Sequence, residues 1–240
     1  MNPLPSSIPV QNNQLDTVKF QIQVHEDEPS YIAYDFRGSK TPIFVYQDMQ
    51  RNKAPDLVGD RLVIDLGANV GLWTLRMAKL YPECHFIAYE PYPINVKHLK
   101  MGVADNHLTN VDIVPFGVSS DGRVIKLVMD PTNSGSASIY SLESAMFPHE
   151  LVQTVKLESI VAPHKSIDAL KIDIEGAEFH LFDGFKSWDR LKKIFIEVHP
   201  VYLSGTDTEK KAYIDWFIGN LKTKVGAENV FVDCTDEKFR

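Results

Sequence analysis

The sequence predicts an α/β protein: a doubly wound, mostly parallel sheet with an N-terminal β extension. Three observations carry that prediction. From residue 62 onward, short apolar runs alternate with amphipathic helical stretches, the pattern of successive βαβ units. The first of those runs, "LVIDLG", ends in an acid and a glycine and turns directly into a helix, as strands do at the ligand-binding edge of such sheets. Before residue 62 the rhythm is different, with β-rich segments and no helical period.

Taken in order, residues 1–16 are rich in Pro, Asn and Ser and read as an arm with little structure of its own. "TVKFQIQV" alternates Val18, Phe20, Ile22 and Val24, and "YIAYDF" and "PIFVY" are two further β-rich runs. Residues 1–60 are therefore expected to form an arm and β extension, and residues 61–240 the main domain. In that domain "GLWTLRMAKLY" places Leu72, Leu75, Met77 and Leu80 at helical spacing. The strand "HFIAYE", the helix "NVKHLKMGVADN" and the strand "VDIVPFGV" follow. "RVIKLVMD" and "VQTVKLES" read as strands around a long polar loop over 131–150. Next come the strand "ALKIDIEG", a helix over 176–184, the strand "KIFIEVHP", a helix over roughly 207–222, and the strand "NVFVDC".

Composition narrows the function. A hydrophobic fraction of 44% and a charged fraction of 24% are those of an ordinary globule. The net charge of −7 gives no general attraction to nucleic acid or to an anionic membrane, and neither is expected as a partner. Cys84 and Cys234 lie far apart, outside any metal-ligand spacing, and read as reduced thiols. The N-terminus lacks the basic start and apolar run of a signal peptide, and no apolar stretch reaches the length of a membrane helix. A cytoplasmic, soluble protein with no membrane span is expected. No feature of the sequence sets an oligomeric state.

The turn after the first strand runs through Asp65, Gly67, Ala68, Asn69 and Gly71, and glycines there permit a tight bend and close approach of a ligand to the backbone. The second strand ends at Glu90, followed by Pro91. An acid in that place can accept hydrogen bonds from both hydroxyls of a ribose. Together these features indicate an adenosine cofactor. A dinucleotide fingerprint starting at Gly67 would need glycines where the chain has Asn69 and Leu72. Asp65 at the mouth would repel a pyrophosphate and attract the ammonium and sulfonium of S-adenosylmethionine. S-adenosylmethionine is therefore the expected cofactor. A nicotinamide-dependent oxidoreductase and a non-catalytic cofactor-binding module are the alternatives.

"VIDLGANVGLWTL", "AYEPYPINVKHLKMGVADN", "LKIDIEGAE" and "FIEVH" together resemble the FkbM-type methyltransferases, within the class I, Rossmann-like S-adenosylmethionine-dependent fold. The resemblance spans roughly residues 60–200. It implies a seven-stranded sheet and O-methylation of a hydroxyl on a sugar, glycolipid or polyketide-like metabolite, so that the partner is a small hydroxylated acceptor. By position, Asp65, Gly67, Asn69 and Gly71 match the cofactor loop and Glu90 the ribose acid. Asp173, Glu175 and Glu178 match the family's D-x-E-G-x-E motif. After "KIFIEVHP" only "NVFVDC" is a clear strand, where the fold usually supplies a terminal pair. Either "LKTKV" is a poor strand or the sheet is shortened.

"ALKIDIEGAE" alternates Leu170, Ile172 and Ile174 with Lys171, Asp173 and Glu175. A strand buried on both faces should be apolar throughout. If this is the fourth strand, beside the first, its carboxyl end faces the cofactor. Asp173 and Glu175 then form a catalytic rim, and Lys171 lies about 7 Å deeper, where an ion pair must hold it. Glu197 is the first candidate partner and Asp173 the second. Asp173 and Glu175 are expected to orient the acceptor, with His199 or Asp173 as the general base, an imidazole being suited to neutral pH. No dedicated metal cage is visible and no metal is expected, although the acids could take Mg²⁺ through oxygen. Trp73, Trp188 and Trp216 read as core or half-buried, and Asn133, Ser136 and Ser138 of the long loop as candidate polyol contacts. The other histidines show no ligand spacing.

Overall fold

The computed structural model describes residues 17–36, 39, 49, 54–130, 133–138 and 149–239, with only the backbone for 36, 129, 130 and 133–138. The expected strand "PIFVY" lies outside the described residues. An antiparallel hairpin of β1 (Thr17–Ile22) and β2 (Tyr31–Phe36) comes first. Then follow β3 (Leu62–Leu66), α1 (Leu72–Leu80), β4 (His85–Tyr89), α2 (Pro93–Asp105) and β5 (Val111–Val114). The chain continues through β6 (Gly117–Ser119), β7 (Val124–Asp130), β8 (Asn133–Ser138), β9 (His149–Lys156) and α3 (Leu157–Val161). It closes with β10 (Ala169–Ile172), α4 (Glu178–Leu181), β11 (Ile194–Val198), α5 (Asp207–Val225) and β12 (Val230–Cys234).

The central sheet has the order β12-β11-β10-β3-β4-β5, and every pairing in it is parallel. The chain enters in the middle, builds outward to β5, and returns to β10 on the other side of β3. Between β3 and β10 lies the switch point where ligands of such sheets bind. The doubly wound parallel sheet is as expected. Its size is not: six strands are present among the described residues, where the resemblance implies seven. "LKTKV" is the last stretch of α5, with Leu221 buried in the core, so it adds no strand, and among the described residues the sheet ends on β12. α5 starts firmly, since Thr206 and Glu209 form a reciprocal capping box.

Other differences have local causes. "VDIVPFGV" is two strands, because Pro115 has no N–H to continue the ladder; β5 stays in the central sheet, while β6 pairs with β9 in a four-stranded sheet of order β6-β9-β7-β8. β8 occupies part of the expected loop over 131–150, so any polyol contact of Asn133, Ser136 or Ser138 falls outside the described side chains. The helix expected over 176–184 shrinks to the single turn of α4.

On one face of the sheet, Ile64, Leu66, Leu170, Ile172, Ile194, Ile196 and Val198 pack against α3, α4 and α5, with Phe179, Leu181, Ile214 and Phe217 from the helices. On the other face, Val63, Phe86 and Ala169 meet Met77 and Ala78 of α1. The hairpin shares a core with the domain: Ile22, Tyr31 and Ala33 pack with Leu72, Leu75 and Leu99 of α1 and α2. Trp73 and Trp188 are half-buried as expected. Trp216 is not; it is 61% exposed on the outer side of α5. Cys84 and Cys234 are buried and unbridged. Among the described residues no helix is long and apolar enough to cross a membrane.

Candidate active site

β3 and β10 lie side by side with Lys171 as the register partner of Asp65. The Lys171 ammonium is 3.1 Å from Asp65 Oδ1 and 3.3 Å from Asp173 Oδ2, and 5.6 Å over the Trp73 ring. Glu197 is therefore not its partner. On the β11 side Lys171 aligns with Phe195, which leaves Glu197 two residues further toward the carboxyl end. Burial works against the charge of Lys171, yet Asp65 and Asp173 more than offset it and hold the amine well above its usual range.

Asp65 also lies elsewhere than expected. Its side chain has no exposed surface and accepts hydrogen bonds from the Thr74 hydroxyl and from Lys171, so it sits beneath the glycine turn and not at its mouth. The turn itself is shaped by its neighbours. Gly67 has φ 83°, and a Cβ there would lie 1.8 Å from the Asp173 carbonyl oxygen; at Gly71, φ 91°, it would lie 2.2 Å from Leu99. These two glycines admit the end of β10 and the flank of α2. Ala68, also buried, donates its N–H to the Tyr89 carbonyl.

Asn69 takes a left-handed φ of 54° and donates its backbone N–H to Glu90 Oε2 at 2.8 Å. Glu90 Oε1 accepts from the Tyr92 N–H at 2.9 Å and the Asn95 amide at 3.3 Å. Burial pushes the Glu90 carboxyl up to about 7, against the pull of those three donors. A cavity opens here, at the carboxyl ends of the strands. Gly67, Asn69, Glu90, Pro91, Asp173 and Glu175 line it, with Val118, Ile125 and Leu127 as an apolar wall.

Opposite Glu90 stands the rim. Asp173 follows β10 directly, and Glu175 is held at φ 51°, a conformation uncommon for a residue with a side chain and concentrated at functional sites. The Tyr202 hydroxyl donates to Glu175 Oε2 at 3.2 Å. Glu178, with no exposed surface, accepts the Gly176 N–H at 2.8 Å through one oxygen. Its other oxygen takes both the His199 backbone N–H, at 2.8 Å, and the His199 ring Nδ1, at 3.1 Å. That arrangement turns His199 Nε2 toward Glu175 Oε2, 3.6 Å away, and Asp173 Oδ1, 3.8 Å away. One ligand atom from each of Asp173, Glu175 and His199 lies within 4.8 Å of the others, so these three could also hold a metal ion.

Burial pushes Glu175 up to about 7, with the Asp173 and Glu178 carboxylates adding to it against the pull of His199. Glu197 rises to about 8, first from the field of Asp173 and then from burial. Burial disfavours the His199 cation, but Glu178, Glu175 and Asp173 overcome it and raise the imidazole to about 10. The three acids thus favour the imidazolium, and His199 does not line the cavity. Both observations weigh against the expected role of His199 as general base. Glu178 was visible in the sequence only as a motif position, and Thr74 and Tyr202 not at all.

A glycine turn and buried acid on the first two strands, a cavity at the switch point and a polar rim on the fourth define a class I, Rossmann-like S-adenosylmethionine-dependent methyltransferase. The chain belongs to the methyltransferase FkbM domain family, whose model matches residues 65–222. It is 23% identical over 204 residues to "Methyltransferase 1" of Beauveria bassiana, across 74% of this chain and 81% of that protein. It is 27% identical over 114 residues to "Methyltransferase sdnD" of Sordaria araneosa, across 46% of this chain and 44% of that one. Among solved structures, the T. thermophilus 16S rRNA methyltransferase RsmC, in complex with AdoMet and guanosine, aligns at 14% identity and a TM-score of 0.43, across 91% of this chain and 47% of that chain. The nicotinamide and non-catalytic alternatives are set aside by the family.

Proposed function

We propose that the chain transfers a methyl group to a hydroxyl of a small acceptor, a sugar, glycolipid or polyketide-like metabolite. The observation that carries this reading is the juxtaposition of Glu90 and the glycine turn on one side of the cavity with Asp173 and Glu175 on the other. The donor set fits the cofactor. Glu90 would take the ribose hydroxyls, the Gly67–Asn69 backbone and Pro91 would bound the nucleoside, and Val118, Ile125 and Leu127 offer an apolar slot for a flat base. When bound, S-adenosylmethionine supplies a methyl group already activated by its sulfonium.

The chain's own groups do the rest. Asp173 and Glu175 orient the acceptor by accepting its hydroxyl hydrogen bonds, and such alignment can be worth up to about 7–11 kcal/mol. As the new C–O bond forms, the hydroxyl proton passes to one of these carboxylates, since both line the cavity and His199 does not. Glu178 and Tyr202 hold the rim in place. Lys171 stays behind it as a structural cation. Incubation with a methyl-labelled donor and a panel of polyols, glycosides and hydroxylated polyketides tests this reading. Label is expected in an ether of one acceptor class, with Asp173→Asn lowering kcat about 10²–10⁴-fold while S-adenosylhomocysteine still binds. Label appearing only on nitrogen or carbon would overturn it.

A further inference from the structure

The three rim groups Asp173, Glu175 and His199 converge, with His199 Nε2 within ion-pair reach of both acids. His199 Nε2 stands 3.6 Å from Glu175 and 3.8 Å from Asp173, both too long for hydrogen bonds. The spacing does suit a shared ion. Two atoms each ~2.1 Å from one metal lie about 3.0 Å apart at right angles and about 4.2 Å apart when in line. Both observed separations fall inside that range.

The imidazole is also prepared for the role. Its Nδ1 faces Glu178, a carboxylate with no exposed surface that also takes the His199 backbone N–H. A carboxylate on Nδ1 fixes that nitrogen as the donor, so that a metal ion at the rim would displace the proton on Nε2 and take its lone pair, an arrangement that recurs behind metal-binding histidines. His199 is only 5% exposed, and its Nε2 is aimed at the two carboxylates. Tyr202 plays the same orienting part for Glu175.

We propose that Asp173, Glu175 and His199 bind one divalent cation of the Mn²⁺ type, for which a mixed carboxylate–imidazole set is suited. Because Asp173 and Glu175 line the cavity, the remaining coordination positions open onto it. They would take two adjacent oxygens of the acceptor, which points to a vicinal diol or an α-hydroxy carbonyl. The ion would acidify the bound hydroxyl and hold it for transfer. The methyl moves from sulfur to that oxygen, the C–S bond breaks as the C–O bond forms, and the proton leaves to the second oxygen of a rim carboxylate. The use of the ion rests on the methyl-transfer reading; its binding does not.

The test is calorimetric titration of the chelator-treated, desalted full chain with MnCl₂, followed by S-adenosylhomocysteine on the same sample. One Mn²⁺ per chain is expected, with Asp173→Asn and Glu175→Gln each weakening it at least tenfold. Glu178→Gln, which removes no ligand, should weaken it by about 10–100-fold. Asp173→Asn lies nearest the surface of the three and keeps the test usable if a buried variant fails to fold. Absence of a one-to-one site at millimolar Mn²⁺, or binding that these substitutions leave unchanged, overturns the inference. If S-adenosylhomocysteine binds and Mn²⁺ does not, the cation site fails and methyl transfer stands. Binding of Mn²⁺ alone would support the site and sink the methyl-transfer reading.

Discussion

The same three strands, β10, β11 and β12, present two opposite faces. One is dry: Leu170, Ile172, Ile194, Ile196 and Val230 lie against α4 and α5 in a continuous apolar cluster. The other carries Lys171, Phe195, Glu197, Phe231 and Asp233, with Phe195 stacked on a Phe231 that is 47% exposed. A parallel sheet is normally apolar on both sides. Here the alternation records a division of labour, with one face holding the fold and the other supporting charge at the cavity. Within the charged face there is a further gradient. Lys171 and Asp65 are locked together deep in the sheet, while Asp173 and Glu175, past its edge, keep about a quarter of their side-chain surface in solvent.

Substitutions can break this contrast, and the largest effect should come from the junction of the two parts. Lys171→Met strands Asp65 without a cation and should cost about 3–5 kcal/mol of stability, read from urea unfolding. A loss below 1 kcal/mol would mean the pair is dispensable. Next comes the dry face. Ile196→Ala should cost about 2–5 kcal/mol while leaving kcat of the folded enzyme within about twofold. A large fall in kcat without a fall in stability would show that the faces are not separable.

The smallest effect concerns pH and sharpens the cofactor side. Glu90 is raised from its ordinary 4.5 to about 7. Being raised, it favours the folded state most below pH 4.5, and that contribution is lost as pH rises through about 7. Ligand affinity runs the other way. Ribose hydroxyls are accepted by the ionised carboxylate, so S-adenosylhomocysteine should bind at full strength above pH 7 and weaken by up to about tenfold per unit below it. Titrations at several pH values would show a flat profile if Glu90 does not meet the ligand.

Much of this was legible in the sequence, and the failures are informative. Strand–helix alternation placed β3 to β5 and β10 to β12, because each strand is a short apolar run bounded by polar turns. The partner of Lys171 could have been found by aligning "LVIDL" with "ALKID", which sets Asp65 opposite Lys171. On the β11 side a two-residue offset decides against Glu197. "LKTKV" carries β-branched residues, yet Leu221 continues the apolar stripe of α5, and the tertiary contact settles it as helix. His199 as a base is a case of a different kind. An unperturbed imidazole suits the task, but three carboxylates gather around this one only in the folded chain. The positioning role of Glu178 is likewise invisible until α4 brings it under the end of β11.

The central claim is that the cavity between Glu90 and Asp173 binds S-adenosylmethionine. Calorimetric titration of S-adenosylhomocysteine into the wild-type chain and into Glu90→Ala tests it most directly, with NAD⁺ as the comparison ligand. One-to-one micromolar binding by the wild type is expected, weakened by roughly 10–100-fold in Glu90→Ala, the loss of charged hydrogen bonds worth about 1.5–3 kcal/mol. Equal affinity in the two proteins, or binding of NAD⁺ in place of S-adenosylhomocysteine, would contradict it.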